Sequence, residues 1–491
     1  MSLPQKPALY WLRHDLRLGD NPALAAALAS GAPLLCIYIF DEASPGLRHA
    51  GGASKWWLHH SLQRLSGALQ AIGGRLDLFQ GAAQDIIVQL AQASGATGIF
   101  WNRRYGKSEI ALDTALKTSL IALGVEVASF NASLLHEPWQ VRSKSQTPFK
   151  VFSPYWRAVV AQRPWPAPLP APGQIVAADY PGTGPGRATL AQLRLLPVKP
   201  DWAGGLAQTW QPGEQGASKR LAQFIDGGID HYGEDRNRPD MPEKSSRLSP
   251  HLRFGEISPR QIVQSVEDAG LRGAARQGDI DKFLSELGWR EFSYHLLFHQ
   301  PDLATRNFNP RFDDFPWRDV PPSEIAAWQR GQTGYPLVDA GMRQLWQTGF
   351  MHNRVRMVTA SFLIKHLMAD WRLGEAWFWD TLCDADPANN AASWQWVAGS
   401  GADAAPYFRI FNPVLQGERF DPKGDYVRKF VPELAKMPDQ WIHKPWLAPA
   451  DILRRANVRL GQDYPAPIID HALARDRALA GFAQLGEPAS N

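Results

Sequence analysis

At 491 residues, with 44% hydrophobic and 20% charged content, the chain has room for two or three domains and the composition of a globular fold. Its two cysteines, Cys36 and Cys383, exclude a disulfide framework and a cysteine-built zinc or iron–sulfur site, and fit a reducing cytoplasmic setting. A net charge of +4 decides nothing about nucleic acid, because a local basic face averages away in a balanced total.

The opening stretch MSLPQKPALYWLRHDLRL meets charge too early for a secretory segment, and no apolar run approaches the roughly 18 residues of a membrane span. The Asn131-Ala132-Ser133 sequon is therefore read as chance. Residues 8–18, 33–40, 74–80, 97–101 and 124–130 are short apolar runs bounded by Gly, Pro or Asp, which predicts strands. Helix-period segments at 54–72 and 83–93 separate them, so residues 1–130 are expected to form an α/β domain with a doubly wound parallel sheet. Ligands of such sheets sit at the carboxyl ends of the strands. From 131 to 205 the text turns proline-rich (RPWPAPLPAPG, YPGTGPG), a connector expected to drape over the protein. Periodicity then predicts helices over 216–227, 258–269, 279–299, 335–347, 353–370, 374–383 and 389–397, an all-α C-terminal domain spanning 206–475. Residues 476–491 read as a short tail, and no internal repeat is seen.

Two look-alikes carry no phosphate chemistry. Gly106-Lys107-Ser108 ends like a P-loop, but the first glycine of that motif falls on Trp101. Gly182-Thr183-Gly184 lacks the strand before it and the helix after it that a dinucleotide fingerprint needs. HExxH and GxSxG are also missing, so hydrolase and NTPase readings start weak.

Chemistry concentrates in Asp384–Trp396, DADPANNAASWQW. Alternating Asp384 and Asp386 can aim carboxylates at one polar target, Asn389 and Asn390 offer amide donors and acceptors, and the rings of Trp394 and Trp396 diverge on a helix. Polar groups this dense tolerate burial only when something answers them, and a large polar, redox-active ring system would. The 20 tryptophans, thirteen of them beyond residue 200, fit stacking, electron transfer or plain core filling. In YGEDRNRPDMPEKSSRLSPHLRFGEISPR, Ser245, Ser246 and Ser249 gather hydroxyls and N–H groups around Arg247, as a diphosphate cradle or as a Ser-x-x-Ser helix cap. In SELGWREFSYHLL, Glu286, Trp289 and Arg290 share one helix face, as a pocket wall or as a salt bridge beside a core tryptophan. MHNRVRMVTASFLIKHLMADWR adds Asn353, Arg354, Arg356 and Met357. Arg356 can pair with one of the later aspartates, a costly arrangement in a buried site unless function needs it.

These blocks, with YWLRHDLRLGDNPAL at the front and TGYPLVDAGMRQLWQTGFMHNRVRM and APYFRIFNPVLQGERFDP behind, closely resemble the DNA photolyase/cryptochrome family over nearly the whole chain. The resemblance implies an α/β antenna domain, a long connector and an all-α C-terminal FAD-binding domain with the FAD bent into a U. It implies that Tyr232, Ser245, Ser246, Leu248 and Ser249 hold the FAD phosphates, with Ser245 where the family has Thr. Asp384 and Asp386 fall beside the isoalloxazine, Arg356 against Asp384, and Asn390 at flavin N5, where plant cryptochromes carry Asp and insect ones Cys. Glu286, Trp289, Asn353, Met357 and Trp396 become the lining for a flipped cyclobutane dimer, Glu286 and Asn353 reaching the flavin as well. Arg236 and Arg354 match DNA contacts, and Trp394, Trp371 and Trp317 match the tryptophans that pass an electron to photoexcited flavin. Trp377 and Trp379 are additional, a branch of that chain or packing. The (6-4) branch carries His where this chain has Asn353, and iron–sulfur relatives need more cysteines, so both fit poorly.

The function expected from the resemblance is light-driven repair of cyclobutane pyrimidine dimers in UV-damaged DNA, without sequence preference, by a cytoplasmic monomer that needs no membrane or metal. Trp289 and Trp396 would clamp the dimer's flat faces. Glu286, protonated or hydrogen-bonded through burial, would steady the charge placed on it. An antenna chromophore is also implied, methenyltetrahydrofolate rather than a deazaflavin, with Glu109 in WNRRYGKSE as a folate contact or beside an empty cleft. The rival is a cryptochrome-like blue-light receptor, which Asn390, the intact dimer lining and the short end after residue 470 disfavour. A redox flavoprotein without light chemistry is disfavoured by the three tryptophans.

Overall fold

The structure, a computed structural model, describes residues 5–178, 180, 184, 186–405 and 408–485. The Gly182-Thr183 look-alike, Pro406-Tyr407 and the tail from residue 486 lie outside the described residues.

Strands β1 (Ala8–Leu12), β2 (Leu34–Phe40), β3 (Leu76–Gln80), β4 (Gly98–Asn102) and β5 (Glu126–Phe130) form a parallel sheet. Its order, β5-β4-β1-β2-β3, runs outward from β1 in both directions, the doubly wound arrangement. Ala8 sets the register, opposite Leu34 on one side and Gly98 on the other. β2 reads LLCIYIF and is buried along its whole length, as a strand covered on both faces must be. Helices α1 (Pro22–Ala29), α2 (Gly52–Ala71), α3 (Ala83–Ser94) and α4 (Lys107–Ala122) supply those covers.

β1 stops well short of residue 18 because Asp15 turns the chain: its carboxylate accepts from Arg13 N (2.6 Å), Tyr10 Oη (3.0 Å) and Asn102 Nδ2 (2.6 Å). The P-loop look-alike is the start of α4, where exposed Lys107 reaches Asp302 at 3.4 Å.

The proline-rich connector carries structure of its own. Helix α5 (Phe152–Val160) packs on the C-terminal half, and strand β6 (Arg187–Ala188) adds antiparallel to β3, covering an edge that would otherwise stay open.

Beyond it lie α6 (Glu214–Gln223), α7 (Ser249–Phe254), α8 (Pro259–Leu271), α9 (Gln277–His299), α10 (Pro336–Thr348), α11 (Asn353–Ser361), α12 (Trp371–Thr381), α13 (Asn389–Ala398) and α14 (His471–Ala483), with further short helices between them, Pro322–Arg330 and Pro413–Phe420 among them. The single helix predicted over 353–370 is corrected: α11 ends at Ser361 and passes into a π-helical turn, Phe362–His366. That turn carries Lys365, fully buried, whose Nζ donates to Ala398 O (2.6 Å) at the end of α13. The segment predicted as helix over 216–227 likewise leaves α6 for a π turn at Phe224–Gly228. α12 starts earlier than predicted because the Asp370 side chain caps it, accepting from Arg372 N (2.8 Å). α10 to α13 close on one apolar body that includes Trp328, Phe362, Leu363, Trp371, Phe378 and Trp394.

Candidate active site

The Ser245–Ser249 segment and helices α9, α11, α12 and α13 surround a cavity of about 520 Å³, a volume typical of cofactor clefts. Every residue assigned from the sequence to FAD or the dimer lines it: Tyr232, Arg236, Ser245, Ser246, Leu248, Ser249, Glu286, Trp289, Asn353, Arg354, Arg356, Met357, Asp384, Asp386, Asn390 and Trp396.

On the polar side, Ser249 Oγ donates to Asp384 Oδ2 (2.6 Å), and Arg356 reaches the same oxygen at 2.8 Å. The helix-cap alternative is not what the structure shows, since α7 has no side-chain cap. The hydroxyls of Ser245 and Ser246 bond to no other described residue, and Asp384 Oδ1 is buried without a partner. Arg247, held in the left-handed region at φ 53°, lies over the Trp210 ring at 4.4 Å. No carboxylate stands within ion-pair reach of it among the described residues, and its Nε is buried without a hydrogen bond. Burial, helped by nearby Arg220, pushes its guanidinium down to about 10. An unpaired buried cation and open hydroxyls fit a diphosphate, and an unanswered buried carboxylate oxygen fits a polar ring edge. FAD presents both. Sequence reasoning gathered the serines around Arg247 without assigning it, because isolation from acids is a property of the fold.

Asp384 and Asp386 do not share a target, which corrects the reading of an alternating pair. Asp386 is consumed locally: Oδ1 accepts from Ala388 N, Asn389 N and Asn389 Nδ2 (2.9, 2.8 and 2.8 Å), capping α13, and Oδ2 accepts from Tyr294 Oη (2.6 Å). Burial, with Asp386 adding to it, pushes the Tyr294 phenol far up, so it stays a donor. Asn390 Nδ2 donates to Glu375 O (3.0 Å) and Glu375 Oε1 (2.8 Å).

On the apolar side, Trp289 stacks on Phe152 of α5 with ring centres 3.8 Å apart and planes 11° from parallel. The connector thus braces this wall, a contribution no local pattern announces. Trp396 is fixed by Nε1 donating to Asp403 O (3.1 Å), Met357 is half-buried, and Asn353 is exposed at the start of α11. Glu286 is corrected in its partners, which are Arg236 (2.5 Å) and Lys282 (3.1 Å) and not Arg290; its side chain is 24% exposed. Arg290 instead donates to Ser133 O (2.7 Å). At the rim, Arg354 donates to Asn237 Oδ1 (2.9 Å) and lies 4.5 Å from the Phe420 ring centre. His352, buried beside Arg354 and Arg356, caps α11 through Nδ1, and burial first of all lowers it to about 4.

Trp394 lines the cavity, edge-on to Phe378 (4.9 Å), and closes over Gly374, where a Cβ would clash with its ring. Trp371 is fully buried with Nε1 donating to Asn307 Oδ1 (2.9 Å), and half-buried Trp317 leans on Phe315 (4.5 Å); all three touch the same apolar body. Trp377 stacks on exposed Trp346 (6.2 Å, 9°), and Trp379 lies under Arg48 (3.9 Å), so both are tied into packing. Glu109 folds back over Gly106 at the first turn of α4, close to Arg104. Among the described residues no helix is long and apolar enough to cross a membrane, and no acid, His or Cys cluster of metal-binding type occurs.

A family model described as the FAD binding domain of DNA photolyase matches residues 283–484, and one described as DNA photolyase matches residues 8–173. Over 483 residues the chain is 53% identical to the deoxyribodipyrimidine photo-lyase of Agrobacterium fabrum, covering 98% of this chain and 99% of that one. It is 37% identical to cryptochrome-1 of Arabidopsis thaliana, over 97% of this chain and 71% of the plant protein. A crystal structure of a bacterial class III photolyase from Agrobacterium tumefaciens matches with a TM-score of 0.94 at 52% identity, covering 99% of this chain and 98% of that one.

Proposed function

The chain belongs to the DNA photolyase/cryptochrome family, and on that footing we propose that it splits cyclobutane pyrimidine dimers in UV-damaged DNA with light absorbed by bound FAD. One observation carries the reading: a single cavity is lined both by an anion-seeking polar set and by Trp289, Trp396 and Met357. FAD, when bound, supplies the excited-state electron that opens the two carbon–carbon bonds of the dimer. The chain's own residues do the rest. Arg247 with the hydroxyls of Ser245, Ser246 and Ser249 holds the diphosphate, while Tyr232 and Leu248 wall it. Arg356, Asp384, Asp386 and Asn390 surround the ring, Asp386 acting by fixing α13.

Trp289, braced by Phe152, and Trp396, tethered to Asp403, grip the dimer by its faces and keep water out. Glu286 meets it as one member of an ion-paired set with Arg236 and Lys282, and Asn353 offers a neutral amide at the mouth. Photolyases take their target out of the base stack, which costs less for a poorly stacked dimer. Arg354 and the exposed part of Arg236 take DNA phosphates, giving affinity without sequence preference. Trp394, Trp371 and Trp317 would form the path along which an electron from an external reductant reaches the flavin site, with Trp377 and Trp379 as packing. A folate antenna, methenyltetrahydrofolate, sits near Glu109, and the protein works as a cytoplasmic monomer.

The test is to load the protein with FAD, reduce it and illuminate it with UV-damaged oligothymidylate. Repair in light and none in darkness is expected. Lesions unchanged in both, with FAD bound, would turn the reading to a blue-light receptor, the role suggested by the name of the plant relative.

A further inference from the structure

Asn390 stands in the first turn of α13 with both amide hydrogens spent, on Glu375 O (3.0 Å) and Glu375 Oε1 (2.8 Å) of α12. With the carboxylate ionised, both atoms only accept, so the amide seats one way. Its Oδ1 meets no donor among the described residues and is left for the cavity. Glu375 is in turn held from the other domain. Arg48, in the loop between β2 and α2, forks onto its carboxylate, Nη1 to Oε1 at 2.7 Å and Nη2 to Oε2 at 2.8 Å. The Arg48 guanidinium lies 3.9 Å from the Trp379 ring centre, and Trp379 Nε1 donates to His49 O (2.8 Å), so the loop is seated on α12. Arg48 is 37% exposed at its side chain and Glu375 only 5%: the clamp reaches a buried acid from the surface.

Resting on the FAD reading above, we propose that Arg48 is a positioning residue for the flavin: it keeps Glu375 a pure acceptor, fixes the Asn390 amide with its oxygen toward the ring, and so biases bound FAD toward its reduced form. A reduced flavin offers an N–H at N5, whereas the oxidised ring offers only a lone pair there. An amide oxygen therefore favours the first, and an amide NH2 the second.

Without Arg48, burial disfavours an unpaired carboxylate. The protonated acid donates a hydrogen bond, and the Asn390 amide turns over to accept it. The other charged groups around this loop have partners of their own. Glu42 pairs with Lys55 (2.9 Å), Asp380 accepts from Gly52 N (2.8 Å), Asp384 is held by Arg356 (2.8 Å), and His49 contributes its backbone.

The experiment is an anaerobic redox titration of the FAD-loaded full chain and its Arg48→Met variant at several pH values, with FAD content and thermal unfolding as controls. At acidic pH the ratio of reduced to oxidised flavin at a fixed poise should fall about tenfold in the variant, roughly one hydrogen bond's effect, or about 30 mV for a two-electron couple. The gap to wild type should close as pH rises and Glu375 ionises, and Arg48→Lys should restore most of the potential. Should Arg48→Met not fold, Glu375→Gln decides. Arg48 then takes the glutamine oxygen, its NH2 faces Asn390, and the same fall appears at every pH. Potentials equal to wild type in whichever variant folds and holds FAD overturn the proposal. A wild-type chain that holds no FAD, or holds it and repairs nothing, sinks the photolyase reading instead.

Discussion

Trp289→Ala removes one face of the dimer clamp and little else. Trp289 is half-buried, its other face lies on Phe152 at 3.8 Å, and no polar contact passes through it to Ser249, Asp384 or Arg247. Phe152 does not take its place, because it stacks on Trp289 without lining the cavity. An aromatic face under a nucleobase is worth about 1–3 kcal/mol, so affinity for dimer-containing DNA should fall about 5- to 150-fold. Affinity for undamaged DNA rests on phosphate contacts and should stay. The assay is a fluorescence anisotropy titration of a duplex carrying one thymine dimer against the same duplex undamaged, at one fixed salt concentration. FAD content is checked by absorbance, and Trp289→Phe, which keeps a flat face, should recover most of the loss. An equal loss on both duplexes, or none on the damaged one, would refute the clamp.

Four further outcomes follow from the same geometry. Arg247→Gln withdraws a charge-assisted hydrogen bond worth about 1.5–3 kcal/mol; FAD should bind about 10- to 150-fold more weakly by flavin fluorescence titration. Arg356→Ala leaves Asp384 buried without its cation, and urea unfolding should show a loss of about 3 kcal/mol. Arg354→Ala should weaken binding to damaged and undamaged DNA alike and lower the slope of log affinity against log salt by about one. Glu291, buried on α9 and accepting from Leu135 N (2.8 Å), is pushed by burial from 4.5 to about 7. A raised acid binds its proton more tightly when folded, so its stabilising effect is full below 4.5 and lost as pH rises through 7. Glu291→Gln should therefore flatten the melting temperature between those values and raise it at pH above 7.

The parallel strands were legible because a strand covered on both faces must be apolar throughout, and LLCIYIF can do little else. β6 escaped, since Arg187-Ala188 has no pattern and its pairing with β3 is decided by where the connector returns. α1, PALAAALA, has no polar face to mark a helical period, and α4 hid behind its P-loop resemblance. In the site, Asp384–Trp396 stood out because polar density inside an apolar stretch is abnormal whatever the fold. What each carboxylate does there was not readable. Asp386 caps its own helix while Asp384 reaches to Ser249 and Arg356, a split set by the path of the chain between them. Glu286, Trp289 and Arg290 do form a wall of the cavity, but the salt bridge within that helix was misread, because the partner of Glu286, Arg236, lies on another segment.

Charge in the cavity sorts by partner, and the sorting indicates what each part receives. Arg236 and Arg356 stand beside Glu286 and Asp384, so each of these cations is already paired and those parts suit an uncharged ring or base. Arg247, Arg253 and Arg354 line the same cavity with no carboxylate in ion-pair reach among the described residues; Arg253 leans on His14 and Ala385 O, and Arg354 on Asn237. Burial and three neighbouring arginines hold His14 well below its usual range, so it accepts from Arg253 rather than repelling it. Cations left without acids in a water-poor site raise the free energy of the empty protein and lower that of the loaded one. Arg247 and Arg253 lie inward, where a diphosphate would neutralise them, and Arg354 lies at the rim, where a DNA strand would. The inner anion should therefore stabilise the fold more than the outer one, since it desolvates deeper charge. FAD should raise the melting temperature at any moderate salt, whereas the increment from DNA should fade as salt rises, and equal salt sensitivity of the two would contradict this division of the cavity.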